Sequence, residues 1–232
     1  NDGRSAKFSN ETMQKMLDFQ AGKLTGGLDP EPGKNAWQDQ WSKGYANTDL
    51  YAETYKSTVF SQEHNLSVSG GSSMMTYYAS FNYLGQGGLL KIGDDGLERF
   101  NATGKIGATL TDWLKFNYNF RFNRNDVWRP RAFSGNYYNY YGRLNWPNIP
   151  MYDPNGYIYG SSAIDVALGG GRDNQTDQLY HQASFTIEPV KNWITNVELN
   201  YSIMNDGVKE VRLPAYIHLP DGNVNDTGGD SN

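Results

Sequence analysis

Between Leu114 and Asn123 the chain reads Leu-Lys-Phe-Asn-Tyr-Asn-Phe-Arg-Phe-Asn, an unbroken alternation of large apolar and polar side chains. Successive side chains of an extended strand point to opposite faces. Leu114, Phe116, Tyr118, Phe120 and Phe122 therefore share one surface, and Lys115, Asn117, Asn119, Arg121 and Asn123 share the other. A helix, with its period of about 3.6, would scatter the same residues around its circumference. The run thus demands a strand with one dry and one wet face. It leaves open whether the dry face meets the second layer of a soluble sandwich or the hydrocarbon of a membrane.

The same rhythm recurs on either side. Leu66 and Val68 alternate with serines and asparagine; Tyr77, Ala79, Phe81 and Tyr83 form a second dry face, and Phe100, Ala102, Gly104, Ile106, Ala108 and Leu110 a third. Later come Leu179, Ala183, Phe185 and Ile187, then Val197, Leu199, Tyr201 and Ile203. Six antiparallel strands pairing as three hairpins make the chain all-β. The connections alternate in length. Those at Gly70-Gly71-Ser72-Ser73, Thr111-Asp112-Trp113 and Pro189 to Trp193 are tight, whereas Gly85 to Gly96 and Val127 to Asp177 are long. Short turns at one end and long loops at the other fit a transmembrane β-barrel segment, and Phe100 to Leu110 is long enough to cross a bilayer at a tilt, which takes about 9–11 residues. On that reading Phe116, Tyr118, Phe120 and Phe122 face lipid. Trp113 and Trp193, at the tight-turn ends, lie in an interfacial girdle.

This divides the chain into an outer-loop region with a short helix (1–63), four barrel strands (64–127), a long outer loop (128–177), two further strands (178–220) and the start of another outer loop (221–232). Ser9 or Asn10 is positioned to cap the helix, Met13, Met16 and Leu17 fall on one side of it, and Gly22 ends it.

Composition narrows the function classes. Aromatics reach 14%, with 17 Tyr, 10 Phe and 6 Trp, although hydrophobic residues are only 38%; such a balance suits side chains placed at a boundary between apolar and aqueous phases. A mean hydropathy of −0.71 agrees with a barrel whose lumen face and loops are polar. A net charge of −5 without a long run of one sign argues against nucleic acid as a partner. The absence of cysteine removes disulfides and thiolate chemistry, and no apolar run approaches the roughly 18 residues of a membrane helix.

The segments His64-Asn-Leu-Ser-Val-Ser-Gly-Gly-Ser72 and Tyr77-Tyr-Ala-Ser-Phe-Asn-Tyr-Leu-Gly-Gln-Gly-Gly88 resemble the SusC/RagA-like TonB-dependent outer-membrane transporters of Gram-negative bacteria. Arg99-Phe-Asn-Ala-Thr103, Thr111-Asp-Trp-Leu-Lys115 and Pro147-Asn-Ile-Pro-Met-Tyr-Asp-Pro-Asn-Gly156 look like the same family. The resemblance implies a multi-pass barrel in the outer membrane that imports oligosaccharides or peptides. It also implies a SusD-like surface lipoprotein as lid and energy supplied by TonB through a plug. No plug sequence is recognised here, and six strands cannot close even a barrel of about eight; the expectation is part of a longer protein.

Catalysis and bound cofactors are not expected. Gly27 to Lys34 approaches a phosphate loop but has the wrong spacing, two prolines, and Asn35 where Ser or Thr would bind magnesium. His64, His181 and His218 match no zinc spacing. Asp94, Asp95, Asp153 and Asp165 read as solvated or turn-forming carboxylates, although a glycosidase would need two of them facing a sugar. The candidate contacts for a ligand or partner are the long-loop aromatics Tyr137, Tyr138, Tyr140, Tyr141 and Trp146, with packing of the loop on itself as the competing reading. A soluble, secreted glycan-binding β-sandwich is the alternative to the barrel.

Overall fold

The computed structural model describes residues 7–133, 137 and 145–226. Strands β1 (Ser61–Gly71), β2 (Met75–Gly87), β3 (Gly96–Thr111), β4 (Leu114–Pro130), β5 (Gly171–Val190) and β6 (Trp193–Glu210) form one antiparallel sheet in sequential order. A small second sheet pairs β7 (Tyr216–His218) with β8 (Val224–Asp226). The helices are short: α1 (Asn10–Gln20), α2 (Gln40–Lys43), α3 (Leu50–Thr54) and α4 (Ser161–Leu168). The fold is all-β in class, as the alternation demands.

Turn chemistry fixes the register. Ser72 Oγ accepts from the amides of Met74 and Met75, each at 3.3 Å, closing β1 onto β2. Only Asp112 and Trp113 separate β3 from β4, with a bulge between Thr109 and Thr111. Lys191 and Asn192 separate β5 from β6, and Asn192 takes φ 69°, a conformation asparagine tolerates better than most residues. Because side-chain direction has a period of two, this register stacks like on like. Leu66, Phe81, Ala102, Phe122, Leu179 and Ile203 form one transverse row; Asn65, Asn82, Asn101, Asn123 and Gln178 form the next, on the opposite face.

The strands run further than their sequence pattern. The hydropathic alternation fades after Asn123, which places the long outer loop at 128–177, but β4 continues to Pro130 and β5 begins at Gly171. Beyond the dry band the face that carried it turns polar, as at Arg124, Asp126, Asp173 and Asp177, while the backbone ladder carries on. The long connection is therefore 131–170.

Apart from Pro130 at the loop end of β4, the buried apolar residues among those described lie outside the six long strands. The core sits in the connections instead. Leu50 of α3, Leu90 and Ile92 of the β2–β3 connection, Tyr137 and Met151 of the long loop, and Ala163 and Val166 of α4 pack together, with Tyr55, Phe133 and Ile158 against them. Helix α1 joins the loops through a capped start, Ser9 Oγ accepting from the Thr12 amide at 3.1 Å. It docks by Thr12 and by Phe19, whose ring meets Tyr45 edge-on at 6.0 Å, leaving Met13 and Leu17 exposed. Lys15 bridges Glu11 at 3.1 Å and Asp29 at 2.9 Å.

Two tyrosines report on this loop core. Burial, reinforced by the Asp29 carboxylate that accepts its hydroxyl at 2.8 Å, pushes the Tyr45 pKa up. Burial likewise pushes Tyr137 up to about 12. Both groups hold their protons more tightly folded than unfolded, where tyrosine ionises near about 10. Their contribution to stability is complete below about pH 10 and is lost as pH rises through the folded-state values. Ultraviolet titration of tyrosinate should show these two ionising after the exposed tyrosines. Tyr137→Phe should remove one late-titrating group; an unchanged late phase would place Tyr137 in solvent.

Candidate functional site

The candidate site is the two-faced wall and the loop core at one end of it. On the dry face the rows run from Phe122 through Phe120, Tyr118 and Phe116 to Leu114, each extended by apolar partners on neighbouring strands. Eight residue steps cover about 27 Å along the strand, or about 20 Å of height at a barrel-like tilt. No second layer covers this face among the described residues. Leu66 is 74% exposed, Leu199 62% and Tyr201 60%. Monomeric soluble proteins rarely expose so broad an apolar surface to water.

Both ends of the band are marked. Trp113 and Trp193 lie at or beside the tight turns and are exposed. At the other end, Arg124 and Asp177 face each other in register, with bidentate contacts of 2.6 and 2.7 Å, one row beyond Phe122. Between these limits one polar ring interrupts the band. His181 shares the row of Phe120, its Nδ1 lies 2.6 Å from the Tyr118 hydroxyl, and Phe120 and Tyr201 stand beside it. Its place between Leu179 and Ala183 assigns it to the dry face by parity alone.

The wet face is lined mainly by amides and hydroxyls. Asn82 Nδ2 donates to Asn65 Oδ1 and to Glu63 Oε1, and Asn101 Nδ2 donates to Asn82 Oδ1 at 3.0 Å. Asn119 donates to Gln182 at 3.1 Å, Tyr180 to Asn200 at 2.9 Å and Thr186 to Asn196 at 2.9 Å. Arg121 stacks over Tyr180 and Lys105 over Tyr78. Such a surface offers donors and acceptors together, which suits the passage of hydrated polar solutes.

Of the long-loop aromatics, Tyr137 is buried in the loop core and Trp146 is half-buried, with Phe8 edge-on at 5.4 Å and the Lys7 ammonium over its ring. Tyr138, Tyr140 and Tyr141 lie outside the described residues. The carboxylates serve turns: Asp95 Oδ1 accepts from the Leu90 amide at 3.0 Å, and Asp153 Oδ1 accepts from the amides of Asn155 and Tyr157, each at 2.9 Å. Among the described residues no group of three or more His, Asp or Glu side chains could hold a metal ion. Lys34 of the phosphate-loop-like segment pairs with Glu31 at 2.8 Å.

The last strand pair of the chain has no counterpart in the sequence reading. The β7–β8 hairpin is pinned by Trp37 Nε1 donating to the His218 carbonyl at 2.8 Å and by Tyr157 stacking on the His218 ring at 3.6 Å. Residues far apart in sequence hold it, so no local pattern announces it.

No protein-family model and no curated protein matches the chain. Among solved structures it is similar to the RagAB peptide importer in its closed-closed state. Identity there is 20% and the TM-score 0.59, over 79% of this chain and 21% of that one. It is also similar to a second structure of the RagAB peptide transporter, at 22% identity and a TM-score of 0.59, over 73% of this chain and 20% of that one. The chain thus spans about a fifth of the length of those proteins. At this identity the likeness establishes fold, and the six-stranded wall with its outer loops has the fold of part of those transporters.

Proposed function

We propose that this chain is barrel wall and outer loop of a TonB-dependent importer of the SusC/RagA-like kind, resident in the outer membrane of a Gram-negative cell. The observation that carries the reading is the uncovered dry face, which ends at tryptophans on one side and an ion pair on the other. Lipid is the phase that such a band fits, and Phe116, Tyr118, Phe120 and Phe122 meet it. The wet face lines the import path. The cargo is an oligosaccharide or a peptide, and the likeness to a peptide importer favours the peptide. A SusD-like surface lipoprotein covers the loops, TonB supplies energy through a plug, and no covalent chemistry takes place.

A secreted glycan-binding sandwich requires a second sheet over the dry face, and none is present among the described residues. Fractionation tests the choice. The protein should require detergent for extraction, and Trp113 and Trp193 fluorescence should be quenched by lipids brominated near the headgroups more than by lipids brominated at the chain ends. Full solubility as a monomer without detergent would overturn the barrel.

A further inference from the structure

At the loop end of the wall two arginines oppose each other. Arg129 of β4 and Arg172 of β5 are register partners, and by parity they stand on the wet face with Asn123, Asn125 and Val127. Like charges directly opposite across strands repel. Among the described residues neither forms an ion pair: Arg172 Nε donates to the neutral Asn174 Oδ1 at 3.2 Å, and Arg129 is exposed. The row continues to Glu210 on β6, but Glu210 Oε1 accepts from Arg212 Nε at 3.2 Å. Nearby, Arg131 Nε reaches only the Gly169 carbonyl. The loop end of β4, β5 and β6 thus carries Arg129, Arg131, Arg172 and Arg212, of which Arg212 pairs with Glu210.

Arg129 also borders a recess of about 360 Å³ lined mainly by apolar residues, among them Tyr55, Leu97, Val127, Trp128 and Phe133, together with Gln86 and with Asp95, whose Oδ1 already accepts from the Leu90 amide. Gly96 forms part of the recess, and the Trp128 ring lies so close over it that a Cβ there would collide with the indole. The volume lies in the range of small-ligand sites, about 300–1,000 Å³, and takes an apolar side chain or two. A largely apolar hollow beside two arginines that form no ion pair among the described residues is complementary to an apolar side chain beside a carboxylate, a pairing found in peptides and absent from neutral sugars.

We propose that Arg129 and Arg172, with the adjoining recess, form an anchoring subsite for a carboxylate of a peptide cargo whose neighbouring apolar side chain fills the recess. This rests on the import reading above and specifies its cargo. The carboxylate is either the peptide's C-terminus or an acidic side chain; guanidinium groups bind both through charge-assisted hydrogen bonds.

Calorimetric titration of the detergent-purified protein tests it with three leucine-rich peptides of equal length. One has a free C-terminus, one is amidated, and one is amidated with an internal glutamate. Wild type should bind at least one carboxylate-bearing peptide about tenfold or more tightly than the neutral amide, and Arg129→Gln and Arg172→Gln should each remove that preference. Preference for the first or third peptide identifies the source of the carboxylate. Retained β circular dichroism verifies the fold of each variant, and relief of repulsion between the arginines favours that outcome. Equal binding of all three peptides, or a preference untouched by either substitution, overturns the subsite while leaving the import reading intact. Arginine-dependent binding of a uronate oligosaccharide tighter than any peptide overturns the peptide assignment. Loss of the import reading is seen separately, as solubility without detergent.

Discussion

Phe120→Arg is expected to destabilise the membrane-inserted protein by about 2–4 kcal/mol, the cost of a cation on the lipid face near the bilayer midplane. Phe120 lies one row from the middle of the dry band and packs over Gly104 at van der Waals distance. A guanidinium there has no carboxylate partner within the band; Asp177, the first one along β5, is already held by Arg124. Tyr118, in the central row, is the less clean choice because its hydroxyl serves His181. The matched control is Asn119→Arg, which places the same charge on the wet face and should change stability by well under half as much. Equilibrium unfolding in lipid vesicles measures both. Equal tolerance of the two substitutions would remove lipid from the dry face.

Met151→Ala should cost about 2–5 kcal/mol in the stability of the loop core, as do other deletions of fully buried large side chains. Met151 is 2% exposed and packs among residues contributed by α3, the β2–β3 connection and α4. Truncation opens a cavity where several connections meet, and no neighbour is free to collapse into it without dragging its own segment. The wall should be almost indifferent, because its strands are held by ladder hydrogen bonds and contribute no residue to that cluster, Pro130 at the loop end of β4 being their one buried apolar side chain among the described residues. Hydrogen exchange resolves the two regions: amides of α4 and the β2–β3 connection should lose protection while those at the centres of β3 and β4 keep theirs. Parallel loss in both would mean that loops and wall unfold as one unit.

What was legible in the sequence is what local rules govern. Alternation at Leu114 to Asn123 identified the central strand and its two faces, and the tight turns at Ser72, Trp113 and Asn192 announced the hairpins through their residue types. The upper parts of β4 and β5 are not legible, because there the dry-face positions become Arg124, Asp126, Asp173 and Asp177 and the hydropathic period is lost. The loop core was hidden for another reason. Its members, Leu50, Leu90, Met151 and Val166, are single apolar residues in separate segments, joined only by the fold. For the same reason Tyr137, which the sequence presents as one of a run of loop aromatics open to ligand, sits inside that core. The opposed arginines are not legible in the sequence because Arg129 and Arg172 become neighbours only through the β4–β5 register.

The overhang of β4 beyond the dry band, from Phe122 to Pro130, amounts to about 27 Å of rigid ribbon at the usual rise per residue. In a bilayer it would act as a standoff, lifting the loop core clear of the headgroups so that a large visitor reaches the arginine row without touching lipid. It would also act as a lever. The ladder from Gly171 to Ile187 on β5 is continuous, so a sideways push on the loops would be delivered to the dry-face rows as torque on the whole sheet rather than being absorbed by local bending.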